Sequence, residues 1–515
     1  MDGTIPPLDK LAELKNRFNF TLLADEAHSI LCLGNTGRGC VEIWNEDHPN
    51  QVLPMSLFDI RTATLSKACG SIGGIVCGAA RYQKAVCARR DELLAQGSEP
   101  VTATTAVQTL HVLGQPIRVQ RCLRRLKNMA THMRYELGRF GMYVYGDANI
   151  PVLPIHTGRP SLAAKLSYVL RKHGVLATPI STPATAFWES RVRITLSAGF
   201  DNSAVDRLVC TLVDAAREVG LISTTAMKPR TFTFIEPRQD TFLEEEEQEG
   251  SATQRTLREL ILRDSQTLTS ISKPDTQITK SGHLARQQYG IASGASRWMT
   301  GTFAVHVEVE QAIANLTRLS DVMTYPDSYL GLMSTMAALC RPLIGYKQHY
   351  LLLPNDAPTA VLDGFRVAPR KGSPTIIKYD AKSIESLVSD IQSIAGKKVY
   401  ITVYVDSTFP LMGSHSSHKD LDSVCKTSGC GMTILFNNLE KPGHKSQLDM
   451  VDLAKHSPAE LLVFGSFYRT FGLPGAYLAG NTHLMDELRY TSRGYMFTTS
   501  QMPFVMGMIA EALRS

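Results

Sequence analysis

The stretch TLSKACGSIGG, residues 64–74, decides how the rest of the chain is read. It sets Lys67 between hydroxyl-bearing residues and a glycine-rich turn. Far downstream, FYRTFGLPGAYLAG, residues 467–480, repeats the rhythm of small residues, glycines and an apolar exit, with Arg469 where the first stretch has its lysine. A primary amine condenses with an aldehyde, whereas a guanidinium stays protonated and does not. One local structure is therefore written twice and the nucleophile kept once.

Working outward, other landmarks repeat in the same order. Met1-Asp2-Gly3 answers to Met412-Gly413, Ala24-Asp25 to Phe436-Asn437, and Lys67-Ala68-Cys69-Gly70 to Arg469-Thr470-Phe471-Gly472, at offsets of 411, 412 and 402 residues. The register holds, then shortens because the second copy has a shorter loop. Ordered landmarks at near-constant spacing mark an internal repeat. The expected organisation is a first unit over 1–224, a linker over 225–280 and a second unit over 281–515. The linker carries Glu244–Glu247, many Ser and Thr, and a short helical pattern around Leu257–Leu262. A run of like charge repels itself and resists burial.

The flanking segments alternate in the α/β manner. FTLLADEAH (20–28) and VYITVYVDS (399–407) are short β-rich runs ending in polar residues. LDKLAELKNRF (8–18) and QRCLRRLKNMATHMRYELGRFG (120–141) have helical apolar spacing. Strand–helix alternation with function at strand ends is the α/β pattern.

Composition bounds the partners. The chain has 515 residues, 43% hydrophobic and 20% charged, enough for two or three domains. A net charge of +6 without a basic, aromatic-studded stripe argues against nucleic acid. No uninterrupted apolar window is long enough to predict a membrane-spanning helix. MDGTIPPLDKL lacks the charged leader and apolar core of a signal peptide. Ten cysteines without CxxC spacing read as reduced thiols in a cytoplasmic protein. His415 and His418 have no further His/Cys cluster beside them, so no metal is expected.

The first copy carries chemistry. Asp25 ends an apolar run, His28 follows, and Lys67 sits beside Thr64 and Ser66. A lysine to meet an aldehyde, a carboxylate to hold a pyridine nitrogen protonated, and hydroxyls with backbone N–H groups for a phosphate are what pyridoxal 5′-phosphate (PLP) requires.

DEAHSILCLGNTGRG (25–39) followed by TLSKACGSIGG resembles the α-oxoamine synthases, fold-type I PLP-dependent transferases that include serine palmitoyltransferase and 5-aminolevulinate synthase. Their pattern is DEAHS…G..GRG, then T-x-S-K-x-x-G…GG. The resemblance implies Lys67, Asp25, His28 and Thr64 as cofactor residues, the first three of them catalytic. It continues to ESRVRITLSA (189–198) and implies Arg193 as the carboxylate-binding arginine, with Arg191 the second candidate. YGIASGASRWMTGTFAVHVEVEQAIA (289–314) and RGYMFTTSQMP (493–503) are similar to other family segments. Yet in the second copy Arg469, Asn437 and Glu440 stand where lysine, aspartate and histidine belong, and Ala357-Pro358-Thr359-Ala360 replaces the family's Asn-His-Ala-Ser.

A lysine-bearing copy joined to a lysine-less one is similar to the fused oxoamine synthases of fungal sphinganine-analogue toxin pathways, of the fumonisin and AAL-toxin type. The resemblance implies condensation of an amino acid with a CoA- or carrier-bound acyl thioester, a polyketide synthase as supplier, and a homodimer or intrachain pseudo-dimer. Serine palmitoyltransferase of sphingolipid synthesis, with association with the endoplasmic reticulum, and a non-catalytic partner are the alternatives. Because the first copy shows no Y-x-F-S-x-x-x-P segment, Thr498 or Ser500 is expected to reach the cofactor phosphate across a pseudo-dimer interface. Both copies are incomplete against the family pattern, which leaves a piece of a longer tandem protein and a circular permutation as competing readings.

Overall fold

The computed structural model describes residues 2–88, 103–223, 229–234 and 276–514, apart from 183, 370–371, 382, 408–422, 425, 428 and 456. It is a mixed α/β chain that divides into two compact units. The first comprises Met1–Cys69, Gly73–Gln83 and Thr104–Ile271; the second comprises Gly70–Ile72, Lys84–Ala103 and Ser272–Ser515.

The first unit holds two small sheets. One contains β1 (Leu23–Asp25), β2 (Ile60–Thr64) and β3 (Gly74–Gly78), with β1 parallel and β3 antiparallel to β2. The helix α1 (Leu8–Phe18) coincides with the stretch expected from apolar spacing and ends on Asn19 in the left-handed region, with its N–H on the Lys15 carbonyl. The other sheet is antiparallel, with β6 (Arg191–Thr195) between β4 (Val152–His156) and β5 (Thr178–Ile180).

The long helix Pro116–Arg139 begins with proline in its first turn, where no N–H is needed. Leu126, Met129, Met133 and Leu137 recur three or four residues apart and are buried in one core with Leu153, Ile155, Val192 and Ile194 of the antiparallel sheet. The helix Asn202–Glu218 joins that core and is capped by Asp201, whose side chain accepts the Ala204 N–H at 2.6 Å.

The segment expected as linker divides. Residues 229–234 lie on the first unit: the Arg230 N–H donates to Glu136 and the Phe232 N–H to Asp206. At the other end, Thr276 already begins the helix Thr276–Tyr289. Glu244–Glu247, Leu257–Leu262, His415 and His418 lie outside the described residues.

The second unit is built on seven strands: β7 (Asp321–Tyr325), β8 (Gln348–Pro354), β9 (Thr375–Tyr379), β10 (Val399–Asp406), β11 (Gly431–Asn438), β12 (Glu460–Ser466) and β13 (Ala476–Gly480). Their spatial order is β7-β13-β12-β11-β10-β8-β9, and only β13 runs against its neighbours. The central strands are continuous apolar runs such as TILF and LLVF, as expected of a mainly parallel sheet with both faces covered.

The β1-β2-β3 ladder and the β11-β12-β13 ladder have one register. Leu23↔Ile60, Ala24↔Arg61 and Asp25↔Thr62 correspond to Leu435↔Leu462, Phe436↔Val463 and Asn437↔Phe464. Thr62↔Val76 and Thr64↔Gly74 correspond to Phe464↔Leu478 and Ser466↔Ala476. Lys67 and Arg469 each follow five residues after the equivalent points Thr62 and Phe464. A one-residue slip would send every side chain to the other face, so a shared register across three strands places Asp25 with Asn437 and Lys67 with Arg469 at equivalent points.

Candidate active site

Asp25 is the last residue of β1, and its Oδ1 accepts from the Thr62 hydroxyl at 3.2 Å and the Ala27 N–H at 3.1 Å. The chain then folds back, with the N–H groups of Ser29 and Ile30 on the Glu26 carbonyl. That turn carries His28. The glycine-rich loop after it wraps around Glu42, which accepts from the N–H groups of Thr36 and Arg38 and from the Thr36 hydroxyl. Gly39 is required where it stands: its φ is +92°, and a Cβ there would fall 1.8 Å from Glu26 Oε2.

Lys67 follows the end of β2. The turn before it is drawn tight by Thr64, whose Oγ lies 2.6 Å from Ser66 Oγ and accepts the Ser66 N–H. Arg193 enters from the other sheet, on central strand β6 between Pro154 and Thr178. The two sheets thus bring together groups far apart in sequence.

Electrostatics shows that the four residues share one neighbourhood. Burial, then the charges of Lys67 and Arg193, push the His28 pKa down to about 4, with Asp25 opposing them. The imidazole is therefore neutral at neutral pH. Burial lowers the Lys67 pKa, with Asp25 raising it and Arg193 lowering it further. Burial also lowers the pKa of Arg193. Asp25, His28 and Arg193 line a cleft of about 350 Å³.

The two arginines of β6 are separated by their partners. Arg191 is buried, paired with Asp2 and with Glu189, and stacked on Tyr145 at 4.0 Å. Arg193 forms no ion pair among the described residues, so its guanidinium is the one available to a carboxylate. Two residues that the motif argument passed over also belong here. Cys32 lies near Lys67 and burial pushes its thiol up to about 11. Glu26 is buried beside the cleft. Neither has a sequence signal beyond its place in the motif.

In the second unit the equivalent positions are occupied differently. Asn437 donates to the hydroxyl of the buried Tyr404 at 2.9 Å. The Arg469 N–H caps on Ser466, and Ala357–Ala360 runs into the helix Thr359–Val367. Thr498 is half-buried just after the helix Arg493–Phe497. Ser500 is buried, and its hydroxyl donates to Gly301 O at 2.6 Å, with Ala295 O at 3.2 Å. A phosphate ligand must donate, and the one hydroxyl proton of Ser500 is engaged inside its own unit.

Residues 1–212 match the aminotransferase class I and II family. The chain is 24% identical over 556 residues to aminotransferase FUM8 of Gibberella moniliformis, covering 98% of each chain. It is 24% identical to aminotransferase ALT4 of Alternaria alternata over 97% of this chain and 66% of that one. To serine palmitoyltransferase 2 of Saccharomyces cerevisiae it is 33% identical over 232 residues, which are 44% of this chain and 40% of that one. These similarities support an aminotransferase class I and II domain over residues 1–212 and a PLP-dependent enzyme.

The donor set fits that cofactor. Lys67 would offer an amine of lowered pKa to the aldehyde, Asp25 a carboxylate to the pyridine nitrogen, and Thr64 with Ser66 hydroxyls to a phosphate. Among the described residues, no helix is long and apolar enough to cross a membrane.

Proposed function

We propose that the chain condenses an amino acid with an acyl thioester, with loss of carbon dioxide, to form an α-amino ketone. A carbon–carbon bond forms at the amino acid's Cα, the thiol leaves the acyl group, and the carboxylate departs as carbon dioxide. The observation that carries the reading is the gathering of Asp25, His28 and Lys67 with an arginine, Arg193, that has no anionic partner among the described residues.

Bound there, PLP supplies an electron sink for the amino acid's Cα. Arg193 grips the amino acid's carboxylate with two parallel hydrogen bonds. Lys67, its amine made less basic by burial, takes the proton from Cα. Asp25 holds the proton at the pyridine nitrogen. His28, neutral at its depressed pKa, donates one N–H to the ring oxygen and orients the site.

The resemblance of a lysine-bearing copy joined to a lysine-less one to the fused oxoamine synthases, together with the similarity to aminotransferases FUM8 and ALT4, supports a role in building a polyketide-derived amine, in the manner of sphinganine-analogue toxins, with the thioester presented on CoA or a carrier protein. The second unit is read as a degenerate copy that keeps the fold, supported by the shared ladder register. The test is borohydride reduction of the PLP-loaded chain followed by peptide mapping. The cofactor is expected on Lys67, lost in Lys67→Ala and retained in Arg469→Ala. A label on any other lysine overturns the assignment.

A further inference from the structure

The helix Pro116–Arg139 carries one sign of charge over most of its length. From Pro116 to Tyr135 it holds Arg118, Arg121, Arg124, Arg125, Lys127 and Arg134 and no acidic residue. Half of these cations are engaged within the first unit. Arg125 donates to the Phe200 carbonyl and to Asn202, and Arg134 to the carbonyls of Tyr145 and Val152. Arg118 donates to Gln115 Oε1 at 3.2 Å. Arg121, Arg124 and Lys127 have neither an ion pair nor a side-chain hydrogen bond among the described residues. They stand three residues apart, on successive turns. Like charges at that spacing repel on a helix, so the trio costs stability unless an anion joins it.

Arg124 and Lys127 also line a notch against the glycine-rich loop that follows His28. Leu33, Gly34, Asn35 and Asn149 share in its walls. Glu46 is the one acid there. Its Oε1 accepts the Asn35 N–H at 2.6 Å, and it pairs with neither cation among the described residues. The buried Leu33 lines both this notch and the cleft that holds Asp25, His28 and Arg193, so the notch lies beside the candidate active site. The cleft itself is lined by one cation, Arg193, which the proposed reaction assigns to the amino acid's carboxylate. A thioester of the pantetheine type brings a second anion, the phosphate at the far end of its arm. That phosphate has to be met outside the cleft.

We propose that Arg121, Arg124 and Lys127 bind the phosphate of the pantetheine arm on which the acyl thioester is presented. The proposal rests on the thioester reading given above. The Arg124 guanidinium suits a phosphate because it grips two oxygens at once, and Lys127 adds a point charge beside it. Arg121, one turn away, strengthens the field that draws the anion in. The side-chain amides of Asn35 and Asn149 are donors of the kind a phosphate takes. Holding a long, flexible arm at its phosphate removes freedom that its thioester end otherwise loses on meeting the amino acid.

The test measures equilibrium binding to the PLP-loaded full chain by titration calorimetry, with CoA, 4′-phosphopantetheine and pantetheine as probes. The two phosphorylated probes are expected to bind about tenfold or more tighter than pantetheine, and the advantage to shrink as salt is raised. In the double variant Arg124→Ala, Lys127→Ala the advantage is expected to vanish, with pantetheine bound as before and the melting temperature unchanged. Glu46→Gln, which removes the opposing charge, is expected to enlarge it. CoA bound tighter than 4′-phosphopantetheine identifies CoA as the source of the phosphate; equal affinities identify the single arm phosphate that a carrier protein presents. The proposal is overturned if the three probes bind the wild-type chain alike or not at all, or if the double variant keeps the phosphate advantage. The wild-type series decides the matter even if the double variant does not fold. Failure of the thioester reading shows separately, as no carbon dioxide released from an amino acid and an acyl-pantetheine, which carries no phosphate for the notch to hold.

Discussion

Two arginines two residues apart on β6 are told apart by their partners. Both sit in ESRVRITLSA, and sequence alone ranks them without separating them. Arg191 is consumed by Asp2, Glu189 and the Tyr145 ring, while Arg193 faces the cleft. Arg193→Ala is therefore expected to raise the KM for the amino acid at least tenfold with little change in melting temperature, since uniform ground-state binding is lost. Arg191→Ala is expected to do the reverse and to cost roughly 1–3 kcal/mol of stability, the cost of removing a buried hydrogen-bonded charge. Steady-state kinetics beside thermal melts of the two variants checks both. Asp25→Asn should lower kcat far more than it changes KM, because the charge acts on the electron sink and not on the substrate. Asp25, His28, Lys67 and Arg193 can be nominated from sequence because each belongs to a spaced motif. Glu26 cannot, because an acid within DEAH reads as exposed until the chain is seen folding back over it.

At the scale of elements, periodicity located the helices well and the strands unevenly. The 8–18 and 116–139 helices follow from apolar residues three or four apart. Met133→Ala, in the buried stripe of the second, is expected to cost about 2–5 kcal/mol, measurable by denaturant unfolding followed by circular dichroism. By contrast FTLLADEAH yields only the three residues of β1, since a strand with one unpaired edge has little to extend its ladder. The short β5, TPI, gives no alternation to read. The paired landmarks stand in the same order in sequence, but the loop lengths between them differ, so the shared register of the two ladders emerges only from strand pairing. Of the two residues expected to reach a phosphate, Thr498 or Ser500, the Ser500 hydroxyl ties residues 295 and 301 together. Ser500→Ala is expected to lower the stability of the second unit by about 1–3 kcal/mol, whereas Thr498→Ala should leave it unchanged.

Across the whole molecule, acid should loosen the second unit through its buried histidines. His306 is fully buried, with Nδ1 accepting the Phe303 N–H and Nε2 bonded to Gln501 O at 2.9 Å. Burial and then Arg297 hold its pKa at about 4, below the ordinary 6.5. The unfolded chain therefore binds a proton that the folded one refuses. The stabilisation is complete above about pH 6.5 and is lost as pH falls toward 4, at roughly 1.4 kcal/mol per pH unit for that one imidazole. His349, pushed down to about 4 by burial, acts in the same direction. Melting temperature measured from pH 7.5 to 4.5 should fall across this window, and His306→Gln should flatten the slope.

The central claim is that one chain holds two ladders of identical register and only one cofactor-bearing amine. The most direct measurement is the stoichiometry and position of PLP in the loaded 515-residue chain, fixed by borohydride and read by mass spectrometry of the intact protein and its peptides. One cofactor per chain, on the peptide containing Lys67 and absent from Lys67→Ala, is the result this structure predicts. Two cofactors per chain, or one carried on a lysine of residues 276–514, would contradict it.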